Sequence, residues 1–204
     1  QAIEYYKRAV KVNANNAEAY FNLGNAFRDS SKLNSAIESY IQAINIKPGF
    51  ESVFNSLGVI LQKTRFETPY PELLAVCERL IGPENFVRPV EVVGPLISLL
   101  KAEPNIKKVL CHSFPISTTS DFLNLIDILN SFPLLGRLIS IAPIPDLTFE
   151  KLFYEIRGFF LANISRLRMT KKQLQFFENL ALHCFTNEYI YLESDEETNR
   201  VQCL

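Results

Sequence analysis

The octets Tyr20-Phe21-Asn22-Leu23-Gly24-Asn25-Ala26-Phe27 and Phe54-Asn55-Ser56-Leu57-Gly58-Val59-Ile60-Leu61 decide the architecture of this chain. Laid over each other at an offset of 34 residues, they match aromatic on aromatic, leucine on leucine and glycine on glycine, and each closes on a large apolar side chain. The same offset carries Ala2, Tyr6 and Ala9 onto Ala36, Tyr40 and Ala43. Periods of this length belong to stacked helical units, none of which buries its apolar face alone. Large residues at i, i+3 and i+7 give the first helix of each unit its packing stripe. Gly24 and Gly58 sit mid-helix despite a cost of about 1 kcal/mol against alanine, which predicts that a neighbouring helix comes close at those points. Ala36 and Ala43 predict the same close approach on the second helix, which Pro48 ends.

Worked outward, the pattern predicts first helices over 17–29 and 51–62 and one complete unit at about 17–50. The chain opens on the second helix of a preceding unit. A third unit begins at Glu51 and decays, with Pro71 at the start of its second helix, where proline is tolerated. Helix 71–81 then stops at Gly82-Pro83. An opening in mid-unit and an apolar ending, Val201-Gln-Cys-Leu204, lead us to expect an excerpt of a longer protein.

These residues resemble the tetratricopeptide repeat. The resemblance implies an all-α fold: a helical solenoid over 1–82, a non-repeat helical domain over 83–192 and an acidic tail over 193–204. Past Pro83 the period vanishes while helical patterning continues, at 89–101, 104–111, 119–131 and about 147–165, and Pro133 to Ile141 is a short apolar segment interrupted by Arg137 and ended by Pro143 and Pro145. The capping box Thr170-x-x-Gln173 opens a further helix. The apolar faces expected of the last two helices are Phe149, Leu152, Phe153, Ile156, Phe159 and Phe160, then Leu174, Phe177, Leu180, Ala181, Cys184 and Phe185. No segment alternates apolar and polar residues for long enough to predict a strand.

The run Leu180-Ala-Leu-His-Cys-Phe-Thr-Asn-Glu-Tyr-Ile-Tyr191, the acidic stretch Glu193–Glu197 and the helix containing Glu150, Glu155 and Arg157 carry a second resemblance. Over about 120–198 the chain is similar to the connecting region of bacterial proteins in which tetratricopeptide repeats precede a methyltransferase-like domain. That resemblance implies a region without catalysis of its own and an enzyme portion beyond Leu204.

Composition narrows the chemistry. Among 204 residues, 21 basic side chains face 22 acidic ones, a balance that speaks against a nucleic-acid partner. No apolar run approaches the ~18 residues that span a bilayer, so no membrane partner is expected and the location is expected to be cytoplasmic. Cys77, Cys111, Cys184 and Cys203 show no C-x-x-C spacing and are expected to be free structural thiols. The seven glycines have no G-x-G or P-loop spacing, so no nucleotide or S-adenosylmethionine cofactor site is expected within this chain. His112 and His183 each neighbour a cysteine, but adjacent helical residues point about 100° apart. A dyad such as His112 with Cys184 has nothing to select it. No catalytic residue and no metal site is assigned, and Glu188 with Glu193–Glu197 reads as a solvated acidic connector. Arg166, Arg168, Lys171 and Lys172 form the one basic cluster, read as cations at the end of helix 147–165 rather than a phosphate contact.

The candidate binding residues lie on the first helices of the repeats, which line the concave surface when helix pairs stack. They are Phe21, Asn22, Asn25 and Arg28, with Asp29 beside them, and Asn55, Ser56 and Val59 on the next unit. Asn22 stands where the repeats of O-GlcNAc transferases, which these resemble, carry an asparagine that grips peptide backbone. An amide suits that task because it offers both a donor and an acceptor. Ser56 departs from that pattern in the next unit. A peptide contact and ordinary solvated polar positions both fit these residues.

The leading expectation is a non-catalytic scaffold that presents a protein or peptide to a transferase domain outside this chain. A free-standing adaptor that dimerises through its Phe-rich C-terminal helices is the alternative, and a small helical enzyme the third.

Overall fold

The computed structural model describes residues 1–82, 87–111 and 116–186. The expected acidic tail, His112 and Cys203 lie outside them. Among the described residues there are eleven helices and no strands. They are α1 (Ala2–Val12), α2 (Ala17–Asp29), α3 (Leu33–Ile46), α4 (Glu51–Leu61), α5 (Pro71–Leu80), α6 (Pro89–Ala102), α7 (Pro104–Leu110), α8 (Thr119–Asn130), α9 (Pro133–Ile141), α10 (Leu147–Asn163) and α11 (Lys171–Thr186). Two compact units emerge, Gln1–Phe66 with Tyr70–Leu96, and Glu67–Pro69 with Ile97–Leu204. The first unit therefore runs past residue 82, where the repeat pattern stops.

In the first unit the complete repeat is a tight hairpin. Asn16 caps α2 by accepting from the Ala19 amide at 3.0 Å. Its C-terminus turns through Ser30, Ser31 and Lys32, with Ser31 at φ 57°, a left-handed backbone that glycine adopts more cheaply. α3 ends at Ile46, two residues before Pro48, because proline disfavours helical backbone in the residue before it. Along α3, Ala36, Ile37, Tyr40, Ala43 and Ile44 are wholly buried. Full burial of a large apolar side chain contributes roughly 1.5–3 kcal/mol, so this helix carries much of the unit's core.

Gly24 is where α2 and α3 meet most closely. A Cβ there would stand 2.4 Å from Cε1 of Tyr40. Gly58 fulfils the expectation of close approach in a different way. Its neighbour is Val87, whose Cγ2 would lie 2.5 Å from a Cβ, and Val87 precedes α6 rather than belonging to the second helix of the repeat. The physical reason is the connection. Residues 62–70 separate α4 from α5, where three residues join α2 to α3, and α5 packs on α3 instead of closing tightly against α4. Leu74, the 34-residue counterpart of Tyr40, is accordingly only half-buried. α5 holds its place through Arg79, whose Nη2 donates to the Pro48 carbonyl at 2.6 Å and whose guanidinium lies 5.5 Å over the Phe54 ring.

In the second unit α8, α9, α10 and α11 enclose a phenylalanine-rich core. Phe122 stacks on Phe159 at 4.7 Å and Phe160 on Phe177 at 4.2 Å, offset pairs worth about 0.5–1.5 kcal/mol each beyond area burial. α8 opens with a capping box between Thr118 and Asp121. Asp146 caps α10 through the Thr148 and Phe149 amides, and its other oxygen takes a 2.7 Å ion pair from Lys101. The expected face of α11 is turned by about one residue. Gln173, Phe176, Leu180 and His183 are buried, while Leu174, Ala181 and Phe185 are exposed. Polar partners fix that rotation. Gln173 shares the Thr170 capping box and donates to Asp127 at 3.0 Å, and His183 Nε2 meets Glu150 at 3.1 Å.

Candidate functional site

The seven residues named from sequence divide into those the fold brings together and those it leaves in solvent. Asn25, Arg28 and Ser56 lie around Tyr40, a residue marked in the sequence only by its place in the 34-residue period. Its ring is fully buried under Gly24, and its hydroxyl donates to Asn25 Oδ1 at 2.7 Å. The Arg28 charge and the Ser56 hydroxyl lie near enough to influence that hydroxyl, whose hydrogen bond is to Asn25. Burial raises the Tyr40 pKa above its ordinary value, and the Arg28 charge and the Ser56 hydroxyl oppose that rise without reversing it. The phenol therefore stays neutral and keeps its proton for Asn25. The signal for this knot was present in the sequence, since a buried tyrosine needs a partner where a phenylalanine needs none.

Arg28 is engaged a second time. Its Nε and Nη2 donate to Oδ1 of Asp29 at 3.2 and 3.1 Å, which neutralises much of the local positive charge. Phe21 is also committed to the fold, with its ring 5.3 Å from Phe50 and 6.1 Å from Tyr40. Its half-buried position reflects packing at the α3–α4 connection rather than a free apolar contact.

Asn22, Asn55 and Val59 remain. Val59 is 51% exposed and Asn55 is exposed on α4. Asn22 is half-buried on α2, and among the described residues no side chain or backbone group bonds its amide. α2 and α4 are packing neighbours, so these three residues share one pair of adjacent helices, and Tyr40 on α3 bonds Asn25 of the same α2. The arrangement suits recognition of polar backbone. Free amides supply donors and acceptors, and the knot beside them holds the helices in register.

Of the described cysteines, Cys77 and Cys184 are taken into the fold while Cys111 is exposed. Cys77 is buried, and burial pushes its thiol pKa well up, away from the reactive thiolate. Cys184 receives the Arg157 guanidinium at 3.7 Å. Arg166 and Arg168 follow the end of α10, as expected for cations at a helix C-terminus. Lys171 and Lys172 do not fit that explanation, because they open α11, the end where the helix dipole disfavours cations. Among the described residues no group of three His, Cys, Asp or Glu side chains is placed to hold a metal ion. Nor is any single helix there long and apolar enough to cross a membrane.

The phenylalanines of the C-terminal helices serve the interior. Phe149, Phe153 and Phe176 are buried, and of that set Phe185 alone is broadly exposed, at 75%. The surface left for a dimer contact on α11 is Leu174, Leu182 and Phe185.

Antiparallel helices repeating at 34 residues, with glycine under a tyrosine ring, define an α-helical repeat protein. The family model described as TPR repeat matches residues 1–28 and 24–64, so this N-terminal part of the chain is similar to tetratricopeptide repeats. No curated protein matches the chain at a significant level.

Proposed function

We propose that this chain is a non-catalytic scaffold whose repeats hold an extended peptide or a protein partner along α2 and α4. The observation that carries the proposal is the pairing of the unbonded Asn22 amide with a fixed neighbouring knot at Tyr40. Tetratricopeptide repeats serve protein–protein interaction in general, which supports a protein or peptide rather than a nucleic acid or a membrane as the partner. The balanced charge and the absence of a membrane-length helix among the described residues point the same way. We further propose a cytoplasmic location. The partner would be presented to a methyltransferase-like domain outside this chain, a reading supported by the sequence resemblance over about 120–198.

Binding of a library of extended peptides, read by fluorescence polarisation, tests the groove. Asn22→Ala should weaken the selected peptides at least several-fold while leaving the melting temperature within about 2 °C. Asn25→Ala is a poorer probe, because it also strips Tyr40 of its acceptor. Unchanged affinity in Asn22→Ala and Asn55→Ala together overturns the groove. The presentation reading has its own test, the intact mass of the native protein captured from its cell. A mass well above 23.3 kDa supports it, and a mass equal to 23.3 kDa removes it.

A further inference from the structure

α11 carries an open apolar strip along its length. Leu174, Leu182 and Phe185 are 44%, 50% and 75% exposed, and Ala181 is exposed beside them. At helical spacing these four fall within an arc of about 100°, with Glu178 inside it and Lys171 at its head. The opposite side of the helix buries Gln173, Phe176, Leu180 and His183.

One end of the strip is strongly basic. Arg166, Arg168, Lys171 and Lys172 are all exposed, and among the described residues no carboxylate pairs with any of them. The first turn of α11 holds no acidic residue, so these cations gather where the helix dipole is itself positive. An acidic segment seated there would relieve both the mutual repulsion and the conflict with the dipole.

The same chain supplies a segment that matches the strip and the cluster in order. Tyr189-Ile-Tyr-Leu192 is apolar and Glu193-Ser-Asp-Glu-Glu197 carries four carboxylates; both lie outside the described residues. An antiparallel return along α11 requires this order, apolar residues beside Phe185 and acids beside Lys171. The lengths agree as well. Lys171 to Thr186 rises about 22 Å as a helix, and Tyr189 to Glu197 spans about 26 Å when extended.

We propose that residues 189–197 fold back over α11 as a strap. Tyr189 to Leu192 cover Phe185, Leu182 and Ala181, and the acids of 193–197 meet Lys171, Lys172, Arg168 and Arg166. The tether raises the effective concentration of the acidic stretch to about the millimolar range, so exposed ion pairs too weak to hold a free peptide suffice. The strap closes the α11 strip to a second copy of the chain. It stands or falls independently of the α2–α4 face.

The test is carbodiimide cross-linking of the full chain, which joins a carboxylate only to a lysine it touches, read by mass spectrometry on an equal mixture of normal and nitrogen-15-labelled chains. Glu193–Glu197 should be joined to Lys171 or Lys172 within one chain, and less to Lys151. Lys151 is exposed and adjoins Glu150, which His183 meets at 3.1 Å near the C-terminal end of α11, so a tail that does not dock reaches it first. Arg166→Glu with Arg168→Glu keeps both target lysines and should lower the yield about fivefold. Leu182→Ser with Phe185→Ser should lower it comparably, and all four replaced side chains are exposed, so the fold is retained. Equal or greater yield at Lys151, links only between different chains, or a yield indifferent to either pair of substitutions overturns the proposal.

Discussion

Replacing Gly24 by alanine should destabilise the first unit, although the same replacement in an open helix does the opposite. An added Cβ would stand 2.4 Å from Cε1 and 2.6 Å from Cδ1 of Tyr40. Carbon atoms rest at about 3.5–4.0 Å, so the ring must retreat by roughly 1 Å. It has no free direction in which to do so, being fully buried and tied by its hydroxyl to Asn25 at 2.7 Å. Overpacking of this kind costs about 1–3 kcal/mol, and loss of the hydroxyl bond adds about 1 kcal/mol. Alanine's better helix propensity returns about 1 kcal/mol, leaving a net loss of about 1–3 kcal/mol. Gly158→Ala in α10 is the control, since nothing lies within 4 Å of its Cβ position. That variant should gain up to about 1 kcal/mol. Urea titration followed by circular dichroism, with amide exchange in α2 and α3 to separate the two units, measures both effects. In a Tyr40→Leu background Gly24→Ala should become close to neutral. If Gly24→Ala matches Gly158→Ala in sign, or if its cost survives removal of the tyrosine, the steric reasoning fails.

Three further outcomes follow from local geometry. Ser31→Gly relieves a positive φ of 57° in an exposed turn, and should raise the urea midpoint by the equivalent of about 0.5 kcal/mol after the entropy cost of glycine in the unfolded chain. The Asp146 carboxyl is pushed up by desolvation, but hydrogen bonds from Lys101, Thr148 and the Phe149 amide, with the Lys101 charge, outweigh this and hold its pKa below the ordinary value. Its contribution to stability is thus complete above the unfolded carboxylate pKa of about 3.9 and fades as pH falls through the lower folded value. Asp146→Asn should flatten the acid limb of the stability curve of the second unit, and an unaltered limb counts against this account. Gln173→Leu should cost about 0.5–2 kcal/mol despite adding apolar surface to a buried site, because it breaks the capping box with Thr170 and the bond to Asp127. Thermal unfolding that finds Gln173→Leu neutral would show the rotation of α11 to be set by packing alone.

Local signals brought the helices almost completely into view. Expected spans of 17–29, 51–62, 71–81 and 119–131 stand beside observed α2, α4, α5 and α8, none displaced by more than a residue at either end, while the short apolar segment at 133–141 forms α9. Prolines at first helical positions, the Thr170–Gln173 box and Pro48 act within one turn of chain, so a linear reading captures them. The expected end of helix 147–165 was two residues long, because Asn163 closes α10 and the last turn before Arg166 is irregular. Pro95 lies inside α6.

The candidate site was legible as a set of positions, but not its allocation. Asn55 and Val59 are exposed and Asn22 is half-buried. Asn25 is taken up by the Tyr40 hydroxyl, Arg28 by Asp29, and Phe21 by packing with Phe50. Hydrophobicity marks which residues prefer the interior. It does not say which polar groups will be satisfied there.

The 34-residue period, the helix boundaries and the all-α class followed from the sequence itself, because each rests on spacing, capping or proline effects confined to neighbouring residues. Only the tertiary structure decided that Val87 fills the space beside Gly58, that α5 leans on α3, and that α11 buries Gln173 and His183 while it exposes Leu174 and Phe185. Those outcomes depend on partners 29 residues away for Gly58, 33 for His183 and 46 for Gln173. A polar side chain becomes a core residue only when such a distant partner meets it, and no local pattern encodes that meeting.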